Sequence, residues 1–377
     1  MQTNKPLYSK IIDYLKDQIK SNELKPYQQV PTEMELAERF KVSRITSKRA
    51  LAELEKEGLI YRERGKGSFV KPQDVRESPS PRRESAMTEM SNVISLIIPK
   101  QEMDSRPFDY IVGVNNYLAS RGYYLSVHTY HGKLDVARNL LQDLPSKGVG
   151  GIIYYPVNEG ANLDILNILN IEGYPVVTVD KYLPVPVHYV VSDNFGGGRL
   201  AVSHLIENGH TRIGYLSVHS LDAATSVRER FFGYCQGMKE HGLAVDQNLV
   251  VLGFIHQIRE SSNKLDVYKK IVETLLRQEV TAIQMMNDIT AIQLTRACAE
   301  MGIKIPDQLS VIGFDDLEIS GQLDVPLTTI AQDFVEIGRK AAEVLLGQLE
   351  SKIQEQQRLV LPVKLVERSS SGPVRRS

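Results

Sequence analysis

Apolar positions recur along the chain with two different periods, and the change of period divides it. Leu7, Ile11, Ile12, Leu15 and Ile19 return at helical spacing and form one face of a helix that stops near Leu24-Lys25-Pro26. A second helical pattern runs through Met34, Leu36 and Ala37 to Phe40, with Thr32 able to cap its first turn. After Lys41-Val42, Ser43 can cap a third helix that continues to Glu57, where Gly58 ends it. Residues 59–62 and 68–70 then read as two short strands joined by Glu63-Arg64-Gly65-Lys66-Gly67. Helix, helix, turn, helix and hairpin in this order make a winged helix over residues 1–72.

Residues 73–91 break every period. They are rich in Ser, Pro and charge, bury nothing, and read as a linker. Beyond them, over 92–377, short apolar runs alternate with helical stretches of ten to fifteen residues. The strand candidates are 93–98, 124–130, 151–155, 176–180, 213–218, 249–254, 282–286, 310–314 and 327–330. Such alternation predicts an α/β unit with parallel sheets covered by helices on both faces, and about nine strands over this length suggest two lobes. Ligands in such sheets bind outside the carboxyl ends of the strands, so a cleft between lobes is the expected site.

Composition removes some alternatives. With 42% hydrophobic and 24% charged residues the chain reads as globular. Its longest apolar run falls far short of the ~20 residues of a membrane span. The first ten residues lack a signal-peptide core, and Cys235 and Cys298 are the only cysteines, so a cytoplasmic, reducing location is expected. Net charge is −1, which selects no partner, but its distribution does. Between Arg39 and Lys71 ten basic residues face four acidic ones, which leaves the remainder at −7. A basic segment on an acidic body suits a nucleic-acid reader with a separate regulatory module.

The chemistry of the basic segment is specific. Val42-Ser43-Arg44-Ile45-Thr46 opens the third helix, where arginine can pair bidentately with guanine and short hydroxyls can hold phosphate. Lys48 and Arg49 extend the charge, and Arg64 and Lys66 sit on a slim, Gly-flanked wing suited to the minor groove or the backbone. Residues 6–71, including VPTEMELAERFKVSRITSKRALAELEKEGLIYRERGKGSFV, resemble the GntR-type winged-helix domain. That resemblance implies DNA contacts by Thr32, Glu33, Ser43, Arg44, Thr46 and Lys48, with Arg64 and Lys66 in the wing. Two positions depart from the family pattern: Tyr27 stands where glycine is usual, and Met34 where some members place a DNA-contacting arginine.

From about residue 92 to 370 the chain resembles the effector-binding domain of LacI-type regulators and periplasmic sugar-binding proteins. The resemblance rests on PVVTVDKY, VVSDNFGGGRLAVSHLIENGHTRIGYLS, VRERFFGY, MMNDITA and LSVIGFDDLEISGQLDVPLTTIAQDFVEIGRKAAEVL. A GntR-type reader joined to a LacI-type sensor is the arrangement of the arabinose-repressor subfamily, and a two-lobed periplasmic-binding-protein-like domain is the implied fold. A sugar offers hydroxyls that charged planar groups can hold and a C–H face that suits an aromatic ring. The resemblance places Arg230 and Asp288 as charged hydroxyl contacts, and Phe334 as the pocket aromatic. Asp180, at a strand end on the cleft side, is a third charged candidate, and Arg228, Lys100, Phe108 and Asp109 complete the set.

Enzyme readings fare worse. Asp315-Asp316 could be proposed as a carboxylate pair, but neighbours on a strand point to opposite faces. His128 and His131 lack a third metal ligand. Gly196-Gly197-Gly198 has no Lys-Ser/Thr ending and reads as a tight loop and helix entry. No enzyme activity, cofactor or metal is therefore expected. The expected partners are operator DNA, a small sugar effector and a second copy of the chain, without a membrane. The alternatives are a corepressor-dependent regulator and a cytoplasmic sugar-binding protein whose basic unit binds another protein.

Overall fold

The computed structural model describes residues 7–21, 23–25, 27–63, 67–71, 92–100, 106–353 and 355–375. The chain divides into two compact units, Met1–Thr88 and Glu89–Ser377. The linker expected at 73–91 and the wing-tip residues Arg64 and Lys66 lie outside the described residues.

The first unit holds helices α1 (Leu7–Lys20), α2 (Glu33–Phe40) and α3 (Arg44–Lys56), then an antiparallel hairpin of β1 (Ile60–Glu63) and β2 (Gly67–Val70). The helical stripe read from the sequence becomes its core: Ile11, Leu15, Leu36, Leu51 and Leu54 pack with Ile60 and Val70 of the hairpin. Thr32 and Glu35 close a capping box at the start of α2. Lys41, at φ +54, turns the chain into α3, whose N-cap is Ser43. Buried Ser47 locks the two helices together by donating its hydroxyl to the Glu33 carbonyl at 2.6 Å.

The second unit contains two six-stranded sheets. In the first lobe the order is β13-β7-β6-β5-β3-β4, all parallel. Its strands are β3 (Val93–Pro99), β4 (Tyr124–Tyr130), β5 (Gly151–Tyr154), β6 (Val176–Val179), β7 (His188–Ser192) and β13 (Arg358–Leu361). Helices α4 (Arg106–Ala119), α5 (Leu134–Ser146), α6 (Leu163–Ile171) and α12 (Phe334–Leu349) cover it. In the second lobe the order is β14-β12-β11-β10-β8-β9, parallel except for β14. It comprises β8 (Ile213–Ser217), β9 (Val250–Leu252), β10 (Ala282–Met285), β11 (Ser310–Asp315), β12 (Thr328–Ala331) and β14 (Lys364–Val366). Helices α7 (Asn194–Glu207), α8 (Thr225–Glu240), α9 (Ile255–Glu260), α10 (Lys264–Leu276) and α11 (Asp288–Glu300) accompany it. No helix among the described residues is long and apolar enough to cross a membrane.

The nine expected strands are present, and β7, β13 and β14 are additional. The run expected at 249–254 shrinks to β9, because residues 247–249 form a 3₁₀ turn and Phe254 precedes α9. The glycine triplet lies inside α7 rather than in a loop before it. There the helices α7 and α8 touch backbone to backbone: a Cβ on Gly198 would lie 2.1 Å from the Arg230 carbonyl oxygen, and one on Gly233 2.1 Å from that of Phe195.

The chain passes between lobes three times, from β7 to α7, from β12 to α12 and from β13 to β14. Two crossings are tied by a hydrogen bond from the Asp193 amide to the Leu361 carbonyl at 2.8 Å. The residues after β14 are clamped under the second lobe. His204 meets the Ser371 hydroxyl at 2.9 Å, and His210 meets the Gly372 carbonyl at 3.0 Å and Thr281 at 2.8 Å.

Burial holds both imidazoles below the ordinary histidine range, with Glu367 and Glu207 opposing it at His204, and with the Gly372 carbonyl opposing and His204 reinforcing it at His210. A folded-state value depressed below about 6.5 means the unfolded chain takes up protons first as pH falls. The contribution is whole above that pH and declines below it. His128, His188 and His219 share the direction, whereas buried Asp288, raised to about 7, works the other way. The expected result is a falling urea midpoint for the second unit between about pH 7 and pH 5, with a shallower slope in His204→Gln. An unchanged slope in that variant removes the clamp from the acid response.

Candidate functional site

The first unit presents its polar residues on one face around the α2–α3 turn. The Ser43 hydroxyl receives the Thr46 amide at 3.3 Å and meets the Thr46 hydroxyl at 2.8 Å, so both short hydroxyls are held at the start of α3. Arg44, 73% exposed at its side chain, extends from the first turn and reaches Glu33 at 3.4 Å. Glu33 also lies 4.0 Å from Arg62, which pairs with Glu55 at 3.0 Å. Thr32 and Lys48 are exposed, as is Met34. Thr32, Glu33, Ser43, Arg44, Thr46 and Lys48 are thus brought together on the α2–α3 face, while Arg64 and Lys66 are outside the described residues. Tyr27 adopts φ +65, the left-handed region that explains why glycine suits this position.

In the second unit, central strands of both lobes terminate at an aspartate with positive φ. Asp180 follows β6 at φ +69, and Asp315 ends β11 at φ +123. Such conformations are costly for a residue with a side chain and concentrate where geometry must be fixed.

On the first lobe, Asp180 is buried against Lys181 at 2.5 Å and receives the Tyr110 hydroxyl at 3.4 Å. Tyr110 packs on Phe334 at 5.4 Å and Tyr155 at 5.7 Å between ring centres, and the Lys181 ammonium sits 4.5 Å over the Tyr155 ring. Asp180 and Phe334, far apart in sequence, meet here. Lys100 is exposed just beyond β3, Phe108 is 67% exposed on α4, and Asp109 lies in the first turn of α4.

On the second lobe, Arg230 projects from α8 and is 4% exposed. Its Nε donates to Asn194 at 2.8 Å and its Nη1 to the Met286 carbonyl at 2.7 Å. Nη2 faces Asp315 at 3.4 Å, and the guanidinium lies 3.8 Å over the Phe314 ring. Gln332 donates to Asp315 at 2.6 Å. Arg230 therefore gathers the ends of β10 and β11 and the start of α7, which is the carboxyl edge where such sheets bind ligands.

Asp288 requires a correction. Fully buried beneath Gly313, it accepts from the Thr329 hydroxyl at 2.6 Å, the Ser320 hydroxyl at 2.7 Å and the Leu317 amide at 2.9 Å. With 0% exposure and three hydrogen bonds from the chain itself, it supports the loop after β11 rather than facing a ligand. Burial first, and the Asp315 carboxylate second, push it up to about 7. Asp315, itself fully buried, stands beside Arg230 instead, a place that the sequence reading of Asp315-Asp316 as a carboxylate pair did not give it. The argument from strand alternation also changes: β11 stops at Asp315, while Asp316 turns at φ +55 to pair with Arg368 at 2.6 Å.

The lobes also touch each other. Arg228 of α8 pairs with Glu159 of the first lobe at 2.8 Å, and Tyr182 donates to Glu229 at 2.9 Å. Burial raises Glu229 above the usual carboxylate range. His219, beyond β8, is held below its ordinary value by burial and by the positive charges of Lys181 and Arg259, so the Lys181 ammonium is felt across the lobes.

Comparison with known proteins gives two family matches: residues 7–70 match the bacterial regulatory proteins of the gntR family, and residues 202–371 the periplasmic binding protein-like domain. The chain is 29% identical over 354 residues to the arabinose metabolism transcriptional repressor of Geobacillus stearothermophilus, covering 92% of each. It is 30% identical over 301 residues to the HTH-type transcriptional repressor PurR of Photobacterium profundum, covering 79% of this chain and 86% of that one. Among solved structures, a putative ribose operon repressor from Burkholderia thailandensis shares 26% identity with a TM-score of 0.63, over 73% of this chain and 99% of that one. A transcriptional regulator CelR–cellobiose complex superposes with a TM-score of 0.64 at 23% identity, over 90% of this chain and all of that one, which speaks for the fold.

Proposed function

The chain belongs to the LacI/PurR-type bacterial transcriptional repressors, with a gntR-family reader in front of the sensor, and from that premise we propose that it is a cytoplasmic, homodimeric repressor of sugar-utilisation genes that releases its operator when a pentose such as L-arabinose enters the cleft. The observation that carries this reading is the Arg230–Asp315 pair, a buried donor and acceptor set at the strand ends of one lobe. The Asp180–Lys181 pair with its aromatic surroundings supplies the matching polar and apolar wall on the other. A pentose hydroxyl can exchange for the Arg230–Asp315 contact while its C–H face lies on the Tyr110–Phe334 side. Thr32, Glu33, Ser43, Arg44, Thr46 and Lys48 are assigned to DNA, together with Arg64 and Lys66 of the wing. Asp288, Arg228, Lys100, Phe108 and Asp109 are left to support or line the cleft.

Release requires that sugar bind the non-operator state more tightly; a differential affinity of about 100-fold shifts the balance by roughly 2.7 kcal/mol. The test is a gel shift on DNA selected by the protein from a genomic library, titrated with L-arabinose, D-ribose and D-xylose. One pentose is expected to dissociate the complex. Tightening instead of release would make the protein corepressor-dependent, and absence of any selected DNA at low salt would remove the operator from its partners.

A further inference from the structure

Helix α3 turns one stripe toward its own unit and leaves another face outside the core. Ser47, Ala50, Leu51 and Leu54 are the buried stripe. Ile45 lies off it. Its side chain is 80% exposed, more than any other large apolar side chain among the described residues. Lys48 and Arg49, three and four residues further on and therefore its neighbours on the helix surface, are exposed as well.

The fold gives little reason for isoleucine at this place. Ala, Lys and Glu are better helix formers than Ile, and burial, the usual compensation for an apolar side chain, is slight here. What the position has is stiffness. Ile45 is the second residue of α3, after the N-cap Ser43, and a β-branched side chain in a helix holds one χ1 rotamer. Its polar neighbours are engaged with the chain: the Ser43 and Thr46 hydroxyls meet at 2.8 Å, and Arg44 reaches Glu33 at 3.4 Å. Met34, beside Glu33 at the start of α2, is 63% exposed too, but an unbranched thioether adapts its shape and fixes no position.

A stiff apolar group among cations, at the opening of a helix assigned to DNA, has a matching partner. First-turn residues of a recognition helix reach base edges, and the apolar group that base pairs show in the major groove is the C5 methyl of thymine. We propose that Ile45 is a specificity-determining residue, which packs on a thymine methyl of the operator and so selects a T·A pair at that position. The proposal rests on the placement of α3 in the major groove, and the experiment keeps the two apart.

The full chain is titrated, by fluorescence anisotropy, onto an operator duplex that it has selected from genomic DNA, with each thymine replaced in turn by deoxyuridine, which lacks only that methyl. The parent, Ile45→Ala and Arg44→Ala are compared; alanine is the better helix former, so Ile45→Ala keeps the reader folded. At one or two thymines the parent should lose about fourfold on deoxyuridine, the worth of one buried methyl-sized group. Ile45→Ala should be weakened at least ~fourfold on the unmodified operator and bind thymine and deoxyuridine at those positions within about 1.5-fold of each other. A 5-methylcytosine·guanine pair placed there should bind the parent, and not Ile45→Ala, more tightly than cytosine·guanine. The proposal is overturned if no deoxyuridine weakens the parent, if Ile45→Ala loses as much as the parent at every thymine, if it binds the operator with parental affinity, or if 5-methylcytosine is no better than cytosine. Lost operator affinity in Arg44→Ala with a flat deoxyuridine scan removes Ile45 alone. Full affinity in Arg44→Ala with a flat scan takes α3 out of the major groove, and absence of any selected DNA overturns both readings.

Discussion

Arg230→Ala is expected to abolish the response to sugar and to weaken the sensor's fold at the same time. Removing the guanidinium takes an opposite charge away from Asp315, which is fully buried, accepts from Gln332 and has Asp288 as a like charge nearby. Breaking a buried pair from one side costs about 3–5 kcal/mol, which urea unfolding of the second unit should register. If Arg230 also donates to sugar hydroxyls, the lost charged hydrogen bonds are worth about 1.5–3 kcal/mol, or roughly 10- to 150-fold in dissociation constant. Operator binding without sugar should persist, giving a repressor that no longer lets go. Asp315→Asn keeps an acceptor for both neighbours and should reduce sugar affinity with a smaller loss of stability. Normal sugar affinity in both variants sinks the cleft assignment; lost sugar affinity with intact release by that sugar sinks the coupling instead.

The second large effect concerns Arg44→Ala, expected to weaken operator binding by about 1–3 kcal/mol with sugar affinity unchanged. Arg44 gains little from Glu33, since their 3.4 Å contact is solvent-exposed and such pairs contribute about 0–1 kcal/mol. Its truncation should leave the reader folded, so the loss reads directly as DNA contact. Filter-binding at two salt concentrations distinguishes the roles: a base contact lowers affinity for the operator over random DNA, whereas a phosphate contact lowers both and reduces the salt slope by about one. Unaltered operator affinity would take the start of α3 out of the major groove.

Much of this architecture is legible in the chain because period and capping chemistry are local. Thr32 and Ser43 announce their helices, and the apolar stripe of α1 is the core of the first unit. The strands that escape notice, β13 and β14, are short edge or terminal pairings with half-exposed residues, and β7 is compressed between a Pro-rich loop and the Asp193 cap. Their pairing comes from distant partners, which no local period encodes.

The site is legible in part for the same reason. Asn287-Asp288 shows two polar groups at a helix start, but the sequence is silent on how they divide the work. Asn287 takes the cap, and its neighbour is rotated under Gly313 into the core. Asp315-Asp316 reads in sequence only as a carboxylate pair on opposite faces of a strand; the break of β11 at positive φ is what separates their directions and hands one to Arg230 and the other to Arg368.

The route of the chain has a consequence for how it is made. Strand β13 completes the first sheet by pairing with β7, and β14 then completes the second by pairing with β12. Residues 358–371 therefore supply the last edge of both lobes, and Ser370 and Ser371 add hydrogen bonds beneath the second. On the ribosome neither lobe can finish before that stretch emerges, and its pairings, of long sequence separation, form slowly. The reader, whose core is built within the first 71 residues, can fold some 300 residues earlier. A nascent chain is thus able to hold a finished DNA-reading surface before any sensor exists to restrain it.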